Sequence, residues 1–227
     1  MTTPLTELQS MLLDLLSKKR VIDSADIARY DATDWEILCV MARQHRLGPL
    51  LHWRLTHEHT GITVPEAVRT EWAASFEAKT LLALVRRRDL MICHQILATA
   101  GIRHTALKGA YLAFHAYPHP ALRPLSDLDI LVPAERALEA YQALIDRGCS
   151  RVERYAVDPK LWLATRKHLP PLKSPSGTTL VELHTRLVRP DMVRTGSVSS
   201  PLDATLWRRL IPGIPVDQEF LSPTDML

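Results

Sequence analysis

The chain has 227 residues, 46% hydrophobic and 23% charged, with a formal net charge of +3. That balance excludes a disordered, collagen-like or disulfide-scaffold protein, and the length suits one large domain or two small ones with a sizeable core. With 8 glycines against 16 prolines the composition argues against a Gly-rich P-loop or Rossmann loop, and the mild charge against duplex nucleic acid as an obligate partner, while isolated phosphates stay open as ligands.

Residues 1–100 read as a helical region. Thr3 and Pro4 predict an N-cap followed by proline at the first helical position, with Leu8, Met11, Leu12, Leu15 and Leu16 at helical spacing behind them. Short helices follow over 24–29 and 34–45, and Thr60-Gly61 closes the block. Pro65 opens a long helix to about Ala100, with Trp72, Phe76, Leu81, Leu84 and Ile92 in its apolar stripe. Arg86, Arg87 and Arg88 read as a solvated face, with a phosphate-facing patch as the alternative.

At Gly101 the texture changes to alternating strands and helices. Strands are predicted over 102–107, 128–132, 151–157 and 179–187, and helices over 109–115 and 133–147, the second ending at Gly148. Beyond Arg189 come a polar stretch, a short apolar segment at 202–210 and a turn-rich tail. The expected class is α/β (α+β): a helical region, 1–100, followed by a mixed-sheet core, 101–227.

Cys39, Cys93 and Cys149 are scattered without a CxxC, the pattern of reduced thiols in a cytoplasmic protein. The first twenty residues do not read as a signal peptide, and no apolar run reaches the roughly 18–20 residues of a membrane span.

The chemistry concentrates in three stretches. In SDLDILV, residues 126–132, a strand sends Leu128, Ile130 and Val132 into a core and Asp127 and Asp129 to the other face. Two carboxylates at i and i+2 repel unless a cation lies between them, and hard oxygen ligands suit a divalent ion. VELH, residues 181–184, repeats the geometry with Glu182 and His184 on one face. If the two strands are neighbours, Asp127, Asp129 and Glu182 make a Mg²⁺ site of the kind that supports in-line phosphoryl displacement, and Glu182 is also a candidate general base. In LKGA, residues 107–110, Gly109 permits close backbone approach and Lys108 adds positive charge, a turn suited to a triphosphate. Each motif alone also has an ordinary structural explanation; their order along the chain gives them weight.

This order resembles the polymerase-β-like nucleotidyltransferase superfamily. More closely, Leu107 to Gly109, Tyr117-Pro118, Arg123-Pro124, Asp127 to Val132, His168 and Glu182 to His184 are similar to the bacterial family of uncharacterised nucleotidyltransferases, over about residues 80–227. The resemblance implies Asp127 and Asp129 as metal ligands, Glu182 as the third carboxylate, and Lys108-Gly109 as the phosphate turn. It further implies Mg²⁺ or Mn²⁺ as cofactor and an NTP such as ATP as co-substrate. The acceptor would be a small molecule or a peptide, a natural-product peptide among the options. Two features depart from the superfamily: Ala110 stands where a serine usually follows the glycine, and Gly109 lies unusually far before Asp127. Lys108 and Arg123 are expected to supply the missing phosphate contacts.

Other candidates carry less. His184 either contacts a substrate phosphate, orients Glu182 or serves a structural hydrogen bond. His168, beside Arg166 and Lys167, belongs to a basic cluster. His57 and His59 are a weak zinc signal, Cys149 reads as a buried apolar group, and the tryptophans read as core. Metal-dependent glycosyl transfer from a nucleotide-sugar, and a catalytically inactive binding module, remain the alternatives. Ser222, Pro223 and Asp225 look like a helix start at which the chain stops, so the resemblance leads us to expect further C-terminal helices.

Overall fold

The computed structural model describes residues 3–187, 207, 211–212 and 219–220. The apolar segment expected at 202–210, apart from Trp207, and the helix start expected at 222–225 lie outside the described residues. The chain groups into two compact units, Met1–Ala83 with Tyr117–Pro124, and Leu84–Ala116 with Leu125–Leu227.

The first unit is helical. It contains α1 (Leu5–Leu16), α2 (Ser24–Ala28), α3 (Ala32–Gln44), α4 (Gly48–His57) and the first part of α5 (Glu66–Thr99). The start of α1 differs from expectation: Pro4 is the N-cap, and the Thr3 hydroxyl donates to Asp34 Oδ2 at 2.7 Å instead of capping its own helix. Helices α2 and α3 open with reciprocal boxes, Asp23 with Asp26 and Asp31 with Asp34, in which each carboxylate takes the other's backbone N–H. Such pairs satisfy orphan donors and place negative charge at the positive helix end. Helix α4 ends at His57, so His57 and His59 do not share one loop. Its opening Gly48-Pro49 looks like a breaker, yet proline is tolerated in a first turn, and a Cβ on Gly48 would meet Ser75 Oγ at 3.0 Å. The core holds Leu8, Leu15, Leu38, Leu51 and Trp72, and Trp35 meets both Tyr30 and Trp72 edge-on at 6.5 Å.

Helix α5 ends in a Schellman turn: Gly101, at φ 65°, donates to Ala98 O, and Ile102 N donates to Leu97 O. Leu81 and Leu84, counted in its apolar stripe, are exposed; burial follows Leu90, Cys93 and Leu97 instead.

The second unit is built on a mixed sheet of β1 (Thr105–Ala106), β2 (Asp127–Leu131), β3 (Ser150–Arg151), β4 (Leu172–Lys173), β5 (Leu180–His184), β6 (Ile211–Pro212) and β7 (Glu219–Phe220), in the order β3-β4-β5-β2-β1-β7-β6. Strands β2 and β5 are parallel, as are β1 and β7, and the other neighbours are antiparallel. The helices are the end of α5, α6 (Lys108–Tyr111) running into a π-turn (Leu112–Ala116), α7 (Ala137–Asp146) and α8 (Pro159–Thr165). The α+β class expected from sequence is what the chain adopts.

Several strands are shorter than predicted. The 151–157 stretch pairs only at Ser150–Arg151 before turning at Glu153–Tyr155. Strand β4, which was not among the predicted strands, has two residues directly after Pro170-Pro171, which have no N–H to donate. Helix α7 ends as expected, with Gly148 at φ 104°. One face of the sheet builds the core, with Leu128 and Ile130 of β2, Val181 and Leu183 of β5, and Tyr141 and Leu144 of α7. Behind it Asp89 of α5, fully buried, accepts from Ser176 Oγ at 2.8 Å and Thr179 Oγ1 at 2.7 Å, pinning the turn that leads into β5.

Candidate functional site

The opposite face of β2 and β5 carries the polar side chains. Because the strands are parallel neighbours, Asp129 lies opposite Glu182, Leu131 opposite His184 and Asp127 opposite Leu180. The alternation read in both motifs therefore places Asp129, Glu182 and His184 together, and their apolar neighbours hold the register by filling the core behind them. A one-residue slip of either strand would bury the carboxylates in that core.

Asp129 is almost fully buried and uses both oxygens. His184 Nε2 contacts Oδ1 at 2.6 Å, and Lys108 Nζ contacts Oδ2 at 2.9 Å. Glu182 Oε2 lies 3.6 Å from His184 Nε2 and 3.6 Å from His168 Nε2. His168 is placed there by backbone pairing of 167–169 with the end of β5, through Leu169 N to Leu183 O and Thr185 N to Lys167 O. Its Nδ1 is 2.8 Å from Leu169 O; a carbonyl only accepts, so Nδ1 carries the hydrogen and Nε2 faces Glu182.

The charges follow from these contacts. Burial works against ionised Asp129, but hydrogen bonds from His184 and Lys108 outweigh it and bring its pKa down to about 2. The His184 ring, 3.6 Å from its carboxylate, lowers Glu182 against burial and the repulsion of Asp129. Burial opposes the charged form of His184, yet its two carboxylate partners raise its pKa. Both carboxylates are thus anions at neutral pH.

Asp129, Glu182 and His184 each offer a ligand atom within 4.8 Å of the others, and among the described residues this is the group able to hold a metal. Two ionised carboxylates and an imidazole, fixed on adjacent strands, fit a divalent cation. The trio differs from the expected one in its third member. Asp127 sits at the open end of β2, half-buried, and its Oδ1 accepts from Ser126 Oγ at 2.8 Å.

The Lys108-Gly109 turn lies beside this group, since Leu107 N donates to Asp129 O at 2.9 Å. The left-handed conformation falls on Lys108, at φ 45°, one residue before the Gly109 expected to allow close backbone approach. Arg123 belongs to the 117–124 segment of the helical unit, where its Nη1 donates to Pro124 O at 3.1 Å. His57 is stacked on Trp53 at 3.7 Å, and His59 is buried. Cys39, Cys93 and Cys149 are free and buried. Trp35 and Trp72 are core as expected, whereas Trp53 and Trp162 are half-buried. The contact of His168 with Glu182 was not foreseen; its sequence signal, a histidine just before Leu-Pro-Pro-Leu, names the residue but not its neighbour.

Among the described residues no helix is long and apolar enough to cross a membrane. No curated protein and no solved structure matches the chain. Residues 31–227, which include both site strands and the Lys108 turn, match the sequence model of the uncharacterised nucleotidyltransferases, and the chain belongs to that family of nucleotidyl-transferring enzymes.

Proposed function

We propose that the chain is a Mg²⁺- or Mn²⁺-dependent enzyme that moves an NMP from an NTP, such as ATP, to an acceptor hydroxyl or phosphate. The acceptor oxygen bonds to the α-phosphorus, the bond to the leaving phosphate breaks, and pyrophosphate departs, the proton of an acceptor hydroxyl passing to solvent water. The observation that carries this reading is the pair of ionised carboxylates, Asp129 and Glu182, side by side on parallel strands with an ammonium against one of them. When bound, a divalent cation supplies positive charge to the donor phosphates and the departing pyrophosphate. A carboxylate with a lowered pKa is a weak base and a good cation ligand, which favours Glu182 as a ligand over Glu182 as general base.

Asp127, half-buried on the same face, is proposed as a further ligand, Lys108 and Gly109 as contacts to the donor phosphates, and His184 as the residue that orients Asp129 and Glu182. Arg123 is proposed as a phosphate contact on sequence grounds alone. The polymerase-β-like core would be residues 101–227, acting in a bacterial cytoplasm that keeps its thiols reduced, on a small molecule or natural-product peptide and not on duplex nucleic acid. The test is incubation with each NTP and Mg²⁺ or Mn²⁺, with candidate acceptors and with the chain itself as acceptor, read by mass spectrometry. Nucleotide transfer with pyrophosphate release is expected. Release of a nucleoside diphosphate from a nucleotide-sugar would replace this reading with glycosyl transfer.

A further inference from the structure

Lys108 was expected to face phosphates, and it faces a carboxylate. Both oxygens of Asp129 are taken, one by His184 and one by Lys108, so a cation arriving at the Asp129, Glu182 and His184 group meets a resident positive charge. The two partners differ in how readily they can leave. The His184 side chain is fully buried and fixed on β5, whereas the Lys108 side chain is 45% exposed, on a flexible four-carbon stem. The backbone at Lys108 is also unusual. Its φ of 45° is left-handed, a conformation costly for a residue with a Cβ, although glycine is the very next residue. The bend is held where Leu107 N meets Asp129 O and Lys108 Nζ meets Asp129 Oδ2, so the same residue takes both the strain and the ion pair.

We propose that Lys108 is a resident counter-ion that fills the cation position at Asp129 until the donor phosphates draw it away, so that metal and nucleotide load together. This rests on the nucleotidyl-transfer reading of the site. The physical logic is charge exchange. With neither ligand bound, Lys108 spares buried Asp129 an unpaired charge. A divalent ion arriving alone displaces the Lys108 ammonium from Asp129 and leaves it beside the ion with no phosphate to receive it. With a triphosphate present, the ammonium moves from carboxylate to phosphate oxygen as the ion moves onto Asp129, and every charge keeps a partner. Each ligand therefore raises the affinity for the other, and by linkage the two enhancements are equal.

The experiment is a calorimetric cycle on the full chain: Mn²⁺ alone, then Mn²⁺ with a non-hydrolysable ATP analogue at saturation. In the wild type the analogue should tighten Mn²⁺ binding by about tenfold or more. Lys108→Met, which keeps the stem and removes the charge, should bind Mn²⁺ alone about tenfold more tightly than wild type and lose most of the enhancement. Lys108→Arg, which keeps the charge, should bind Mn²⁺ alone as weakly as wild type, so the charge effect stays testable if the methionine variant folds poorly. Wild-type Mn²⁺ affinity that ignores the analogue, or a Lys108→Met chain that binds Mn²⁺ alone no more tightly, overturns the counter-ion role while leaving the metal site standing. No Mn²⁺ binding in any chain, with or without the analogue, overturns the role and the nucleotidyl-transfer reading together.

Discussion

The two units bury polar groups for different purposes. In the helical unit the buried carboxylate, Asp34, is part of a helix start: it takes Asp31 N–H and the Thr3 hydroxyl, and Asp31 returns the contact through Asp34 N–H. In the sheet unit the buried carboxylate at the site, Asp129, takes no helix-end donor and instead meets His184 and Lys108 from two other elements. Buried polar atoms without a partner occur in both units, Trp72 Nε1 and His59 Nε2 in one, His184 Nδ1 and Asp89 Oδ1 in the other. An orphan atom alone therefore does not mark a site. What marks it is convergence: like charges from separate strands on one face, held ionised by neighbours that can change partners.

The sharpest test of this contrast is to damage each unit at its best-packed point. Trp72 is 1% exposed and edge-on to Trp35, so Trp72→Ala should cost about 3–5 kcal/mol in denaturant unfolding. Trp72→Phe should cost far less than the alanine, because it keeps most of the ring and removes an indole N–H that has no partner. Equal losses would mean the indole nitrogen contributes in a way the helical core does not show. At the site, Asp129→Asn preserves shape and removes charge. Turnover should fall about 100- to 1,000-fold with Mn²⁺ binding weakened in parallel, and the unfolding midpoint should fall too, since the charge held by His184 and Lys108 is lost. Wild-type turnover in that variant would break the assignment of Asp129 as the central ligand.

The alternation in SDLDILV and VELH was legible because each strand has one apolar face, and period two then decides the other. That Asp129 stands opposite Glu182 is a long-range fact; it became readable only through the order of motifs, since strand neighbours are not written in either strand. The pairing of Lys108 with Asp129 and its left-handed backbone could not be foreseen. Local propensity gives a left-handed turn to Gly109, and the tertiary contact with Asp129 overrides it. His168 was visible as a residue and invisible as a neighbour of Glu182, because its place depends on backbone pairing with the end of β5. The capping boxes of α2 and α3 escaped because the helices expected over 24–29 and 34–45 start after the cap residues Asp23 and Asp31. Thr3 fits an N-cap by type, and its hydroxyl found Asp34 instead.

A smaller effect separates support from chemistry within the sheet unit. Asp89 Oδ2 is held by Ser176 and Thr179, and Oδ1 has no partner, so Thr179→Val leaves a fully buried acid with one hydroxyl donor. That should cost about 1–3 kcal/mol, with Thr179→Ser restoring it. Leu180 opens β5 directly after Thr179, so the valine variant should also bind Mn²⁺ more weakly than a chain of equal stability altered elsewhere in the core, such as Cys149→Ala. Equal affinity in the two would make the Asp89 clamp a matter of stability alone.

The smallest effect returns to the helix starts. Asp26 and Asp34 occupy the same third position of the same box, each accepting from its own cap residue's N–H, Asp23 at 3.0 Å and Asp31 at 3.2 Å. They differ in what else they hold. Asp26 opens a helix of five residues at the surface, while Asp34 is buried, opens one of thirteen and takes the Thr3 hydroxyl from far along the chain. Asp34→Ala should cost about 1–2 kcal/mol and Asp26→Ala a few tenths, because burial turns a lost cap into unsatisfied donors that water cannot reach. If unfolding shows the two alike, helix starts in this unit act by charge at the helix end, and the burial of Asp34 adds nothing. Raising the salt would then shrink both effects equally, whereas a buried hydrogen bond is insensitive to it.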